Sequence, residues 1–127
     1  MRKGVKADSR LPFAQLFFRG SFDQPLKPEE AGELSEPLEM VRWAPSAVNK
    51  QPWRVLMDGN AAHFFKAQSR GFVNERGWDL QKVDLGIALC HFAYGLETQG
   101  RKAELSVEAP NVPVPEGLQY IASFRME

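Results

Sequence analysis

The clearest pattern in the chain runs from Leu80 to Thr98. Val83, Ile87 and Tyr94 recur at helical spacing on one side, and Leu85, Leu89, Phe92 and Leu96 on another, so apolar groups surround much of the cylinder. This spacing predicts one long helix, with Asp79 as its N-cap and Gly100 as a left-handed C-terminal cap. A helix apolar on most sides needs cover on most sides. The few other elements of so short a chain supply too little of it. We therefore expect one face to pack on a sheet and another to meet a second subunit. Burial inside its own domain is the alternative.

Around this helix the pattern is more broken. Phe13, Leu16 and Phe17 follow Pro12 at helical spacing and predict a short helix from Pro12 to Phe18. Gly20 to Pro28 reads as a loop, punctuated by Pro25 and Pro28. Leu34, Leu38 and Val41 give one apolar face to a helix from about Glu29 to Trp43. A break and restart is expected at Ser35 or Glu36, because proline is tolerated only in a first turn. Arg54–Met57 and Ala62–Lys66 flank Asp58-Gly59-Asn60 and predict a hairpin. Residues 67–78 read as a polar loop. Strands are expected over Glu104–Glu108 and Gln119–Phe124, separated by Pro110, Pro113 and Pro115.

A length of 127 residues suits one domain, divided here into a basic arm (1–11) and a folded unit (12–127). Sixteen basic and sixteen acidic side chains cancel, so no global field draws the chain to nucleic acid or an anionic membrane. One cysteine, Cys90, excludes an intrachain disulfide and a thiolate metal site, and favours the cytoplasm. Its apolar helical surroundings read as core. His63 and His91 lack acidic or thiol neighbours at metal spacing, and His91 reads as a hydrogen-bonded structural histidine. Trp43, Trp53 and Trp78 read as core or rim residues, and Asp84 as an acid paired with a base or loop backbone. No nucleophile–base–acid set and no carboxylate pair stands out, so no catalytic side chain is assigned.

One loop carries chemistry. Arg42-Trp43-Ala44-Pro45-Ser46-Ala47-Val48-Asn49-Lys50-Gln51-Pro52-Trp53-Arg54 joins a helix end to a strand start. Pro45 and Pro52 stiffen both ends, which lowers the entropy lost in holding one shape. Ser46, Asn49 and Gln51 offer donors and acceptors suited to the polar edge of a flat heteroaromatic ring. The competing reading is a turn whose polar side chains satisfy its own backbone.

This stretch resembles the Ala-Pro-Ser-x-x-Asn-x-Gln-Pro-Trp motif of the FMN-dependent nitroreductase family. Lys82 to Phe92 and Leu11 to Phe18 are similar to the central helix and an upstream segment of its Thermotoga-type, pseudo-dimeric subgroup. The likeness runs in order over nearly the whole chain. It implies an α+β fold, a half-unit with a long central helix packed on a small, mainly antiparallel sheet. It implies FMN bound between two units, lined by Pro45, Ser46, Ala47, Asn49 and Gln51, with the last two bonding the isoalloxazine edge. It implies NAD(P)H as reductant, a nitroaromatic or quinone-like acceptor, and a second nitroreductase-like unit as partner. The partner would be another copy or an N-terminal half, since the chain resembles the end of a first half followed by a second. Family members grip the FMN phosphate with an Arg-Arg-Ser-x-Arg segment that is not reproduced before the motif helix. Lys3, Lys6, Ser9 and Arg10 correspond instead to a basic tail that touches phosphate, so Arg10 joins the expected site. Loss of that grip leaves a second expectation, a non-catalytic half-unit serving another half.

Overall fold

The computed structural model describes residues 10–46, 50–67 and 80–126. The basic arm up to residue 9, Ala47, Asn49, Trp78 and the expected N-cap Asp79 lie outside the described residues. The elements, in order, are α1 (Phe13–Leu16), β1 (Phe17–Arg19), β2 (Ser21–Pro25), α2 (Pro28–Ala31), a 3-10 turn (Gly32–Leu34), α3 (Ser35–Arg42), β3 (Trp53–Asp58), β4 (Ala61–Ala67), α4 (Leu80–Thr98), β5 (Ala103–Ser106) and β6 (Leu118–Met126).

The strands form one sheet in the order β2-β1-β3-β4-β6-β5. β1 runs parallel to β3, and every other pair is antiparallel, in agreement with the mainly antiparallel α+β expectation. The β3–β4 hairpin turns at Gly59, with φ +60°, as its turn residues predict. α4 keeps its expected bounds and closes with a Schellman pair: Gly100 N–H donates to Glu97 O and Arg101 N–H to Leu96 O, with Gly100 at φ +72°. The break before Pro37 is present as the 3-10 turn between α2 and α3.

Two expectations fail near the start of the chain. The helix expected from Pro12 to Phe18 ends at Leu16, and Phe17 begins β1. The segment expected to be a loop from Gly20 to Pro28 contains β2. Phe17 enters the core beside α1, while Phe18 points to the opposite face and meets Phe22 at 5.2 Å. That alternation is strand geometry. Phe13, Leu16 and Phe17 happen to share helical spacing as well.

One face of the sheet supplies Trp53, Val55, Met57, Ala62, Phe64 and Phe124 to the core under α4. Leu85, Ala88, Phe92 and Leu96 close it from the helix side with no exposed surface. The other side of α4 is open. Val83 is 54% exposed and Tyr94 58%, and Cys90 is exposed with them, which corrects its reading as a core residue. The described residues therefore leave this side of the helix uncovered. His91 Nδ1 lies 2.9 Å from Ile87 O, and Asp84 is buried. No helix among the described residues is long and apolar enough to cross a membrane, and no group of metal-ligating side chains occurs among them.

The second sheet face carries an aromatic file, Phe18–Phe22–Phe65–Tyr120, with centroids 5.0–5.5 Å apart. Buried His63 sits beside it, its Nδ1 2.6 Å from Ser123 Oγ, which is 2.6 Å from the Tyr120 hydroxyl. Burial pushes the imidazole below its ordinary value; the Asp58 and Glu108 carboxylates oppose this and the Arg125 guanidinium adds to it. The folded state thus binds the His63 proton more weakly than the unfolded chain does. Its contribution to stability is complete above the unfolded pKa of about 6.5 and is lost as pH falls through the lower folded value. We expect the melting temperature to drop between pH 6.5 and 5, and His63→Asn to flatten that part of the curve. Parallel curves for the two proteins would contradict this account.

Candidate functional site

The motif loop begins where α3 stops. Arg42 closes the last turn, Trp43 N–H bonds Glu39 O, and Ala44 N–H bonds Val41 O, after which Pro45 cannot continue the ladder. The loop ends where Pro52 leads into β3, and Ala67 N–H, at the end of β4, bonds Pro52 O at 2.7 Å.

Gln51 is the knot of this loop. It is 5% exposed and adopts φ +49°, the only positive φ at a non-glycine position among the described residues. Its backbone groups and its side-chain oxygen are all tied. Its N–H donates to Ser46 Oγ at 2.9 Å, so the serine folds the loop back on itself. Its carbonyl accepts from Arg54 Nη1 at 2.9 Å, and the same nitrogen reaches Trp53 O at 2.7 Å. Its side-chain Oε1 accepts the Leu11 N–H at 2.7 Å. Burial pushes the Arg54 pKa below its ordinary value, yet guanidinium stays charged and these remain charge-assisted bonds. The strained backbone at Gln51 is held by three contacts, from Ser46, Arg54 and Leu11, the condition under which such strain persists.

The segment Arg10–Leu11 lies against both ends of the loop. Leu11 O accepts from Arg42 Nε at 2.7 Å, and Arg10 Nη2 donates to Trp43 O at 3.2 Å. Two guanidinium groups lie over the Trp43 ring, which is 50% exposed, with Arg10 Cζ 5.0 Å and Arg42 Cζ 5.5 Å from its centroid. Arg42 also pairs with Glu39 at 3.2 Å.

The expected site residues therefore divide. Ser46, Gln51 and Arg10 come together around the loop, and Pro45 stands exposed at its start. Ala47 and Asn49 lie outside the described residues. Ser46 Oγ accepts the Gln51 N–H, the turn-satisfying role weighed against ligand contact, whereas Gln51 Oε1 accepts the N–H of distant Leu11. Sequence reasoning passed over Arg42 and Leu11. An arginine in the last helical turn beside the motif is the one signal that pointed to them.

Three solved structures share this fold. A "putative nitroreductase" from Thermotoga maritima MSB8 aligns at 23% identity and TM-score 0.57, over 93% of this chain and 41% of its own. The chain thus spans less than half the length of that relative. An oxidoreductase containing FMN aligns at 21% identity and TM-score 0.55, over 99% of this chain and 81% of its own. A nitroreductase family protein from Clostridium difficile 630 aligns at 18% identity and TM-score 0.58, over 98% and 83%. No curated protein matches the sequence. The sequence model of one family does match, across residues 19–96, which is more than half of the chain. By that match the chain belongs to the family described as "Putative TM nitroreductase".

Proposed function

We propose that this chain is a flavin-binding unit of an oxidoreductase, with FMN seated against the motif loop and shared with a second nitroreductase-like unit. The observation that carries the reading is the loop itself: a family motif stiffened by Pro45 and Pro52 and pinned through Gln51.

The residues at hand fit such a group. Pro45 and Ser46 offer accessible surface at the start of the loop, and cationic Arg10 lies against its base, where an anionic phosphate is favoured. In this reading Pro45 to Ala47 shape the wall under the ring, and Asn49 bonds its polar edge. Gln51, already holding the Leu11 N–H, contributes chiefly by fixing the shape of the loop. Arg10 faces the phosphate. When bound, FMN supplies hydride acceptance from NAD(P)H and delivery to a nitroaromatic or quinone-like acceptor; the protein positions and shields it.

The uncovered face of α4 supports the shared site. Val83, Cys90 and Tyr94 present an apolar strip that a second unit's helix would cover. A second copy of this chain, or an N-terminal half, is the partner in this reading.

Purification with FMN tests the proposal. A yellow protein with flavin absorbance near 450 nm, a melting temperature that rises with added FMN, and elution as a dimer on gel filtration are expected. Binding at a hundredfold excess over Kd is worth about 2.7 kcal/mol by mass action. A colourless chain indifferent to FMN defeats the flavin reading and leaves a non-catalytic unit that serves another half.

A further inference from the structure

We infer that Gln51 and Arg42 act as positioning residues that grip Leu11 from both sides, making Arg10–Leu11 a strap on which the shape of the motif loop depends. The inference rests on the flavin reading for its consequence, though not for its geometry.

Leu11 offers one N–H and one carbonyl, and both are taken by the two ends of the loop. The N–H goes to Gln51 Oε1 at 2.7 Å, beside the start of β3, and the carbonyl to Arg42 Nε at 2.7 Å, in the last turn of α3. The partners are separated by 40 and 31 positions, so these are tertiary bonds that fix where the strap runs. Arg10 adds a third tie through Trp43 O and stacks on the Trp43 ring. Pro12 follows directly, which biases Leu11 toward extended backbone and leaves its two polar groups free to point away from each other. Gln51, at its positive φ, bonds Ser46 through its backbone N–H and Leu11 through its side chain, so the serine, the glutamine and the strap form one connected set.

The consequence is that the strap and loop are ordered together. Releasing Leu11 frees Gln51, then the Ser46 return, and the flavin wall loses its preorganisation. The charge on Arg42, held by Glu39 and Leu11 O, is thereby assigned to geometry and not to phosphate binding.

Limited trypsin digestion with FMN titration tests this on the full chain. The Arg10–Leu11 bond is a trypsin site at the centre of the clamp, and Lys66–Ala67, with Lys66 1% exposed in β4, reports global opening. Gln51→Met removes the acceptor at similar size, and Gln51→Glu keeps it. We expect cleavage after Arg10 to quicken about five- to tenfold in Gln51→Met and in Arg42→Met, with cleavage after Lys66 unchanged, and Gln51→Glu to stay near wild type. FMN affinity should weaken by a similar factor in the two methionine variants. Equal cleavage after Arg10 in all forms overturns the clamp. Faster cleavage with unchanged FMN affinity overturns its positioning role. Absence of FMN binding to every form, wild type included, removes the flavin reading, while the cleavage pattern still decides the clamp.

Discussion

Phe92→Ala is expected to lower the unfolding free energy by about 3–5 kcal/mol, a large part of the 5–15 kcal/mol available to a domain. Phe92 has no exposed surface and stands in the middle of α4. Its ring meets Phe64 of β4 at 5.5 Å, edge-on at 69°, and Phe124 of β6 at 5.7 Å; Phe64 and Phe124 meet each other at 6.2 Å. The three rings join the helix to two central strands. Alanine would leave a cavity with rigid walls, because β4 and β6 are hydrogen-bonded to each other and cannot close on the helix. Urea unfolding followed by tryptophan fluorescence reads the loss directly. A cost below about 1 kcal/mol would mean that α4 does not lie on this face of the sheet.

That the helix lies there was legible in the sequence, and the reason is local. Nineteen residues with apolar groups at helical intervals, followed by a glycine, specify an element without help from the rest of the chain. The β3–β4 hairpin is legible for the same reason, since Asp58-Gly59-Asn60 brings its own partners together. β1 is not. Its partner β3 lies more than thirty positions away and runs parallel to it, so nothing near Phe17 announces the pairing. β2 exists because β1 does. Cys90 failed for a different reason. A helix apolar all round gives no sign of which side the domain covers, and only the position of the sheet leaves Cys90 outside.

The site was legible as a set of residue types and not as a set of bonds. The two prolines and the polar residues between them mark a stiff loop, and the family motif adds its chemistry. That Gln51 spends its side-chain oxygen on Leu11, and that Arg42 holds the same residue's carbonyl, are facts of tertiary packing that spacing cannot express. Arg10 was singled out for a phosphate; the structure adds its contact with Trp43, which ties it to the loop.

Gly95→Ala should destabilise the chain although alanine is the better helix former. In the interior of an exposed helix the exchange gains about 1 kcal/mol. At Gly95 a Cβ would come within 2.8 Å of Pro37 Cα and 3.0 Å of both Pro37 Cβ and Met40 Sδ. The methionine can move, but the proline backbone in the first turn of α3 cannot yield without shifting the helix. Overpacking of this kind costs about 1–3 kcal/mol, which outweighs the propensity gain. Gly86, on the same helix, meets nothing within 4 Å, so Gly86→Ala should raise the melting temperature while Gly95→Ala lowers it. The opposite signs separate helix propensity from contact. α3 ends in Arg42, so its displacement also pulls on the Leu11 carbonyl. Gly95→Ala is therefore expected to quicken trypsin cleavage after Arg10 as well, and Gly86→Ala to leave it unchanged. Equal stabilisation by both alanines would show that α3 and α4 do not touch at Pro37, and the link from the central helix to the loop would go with that contact.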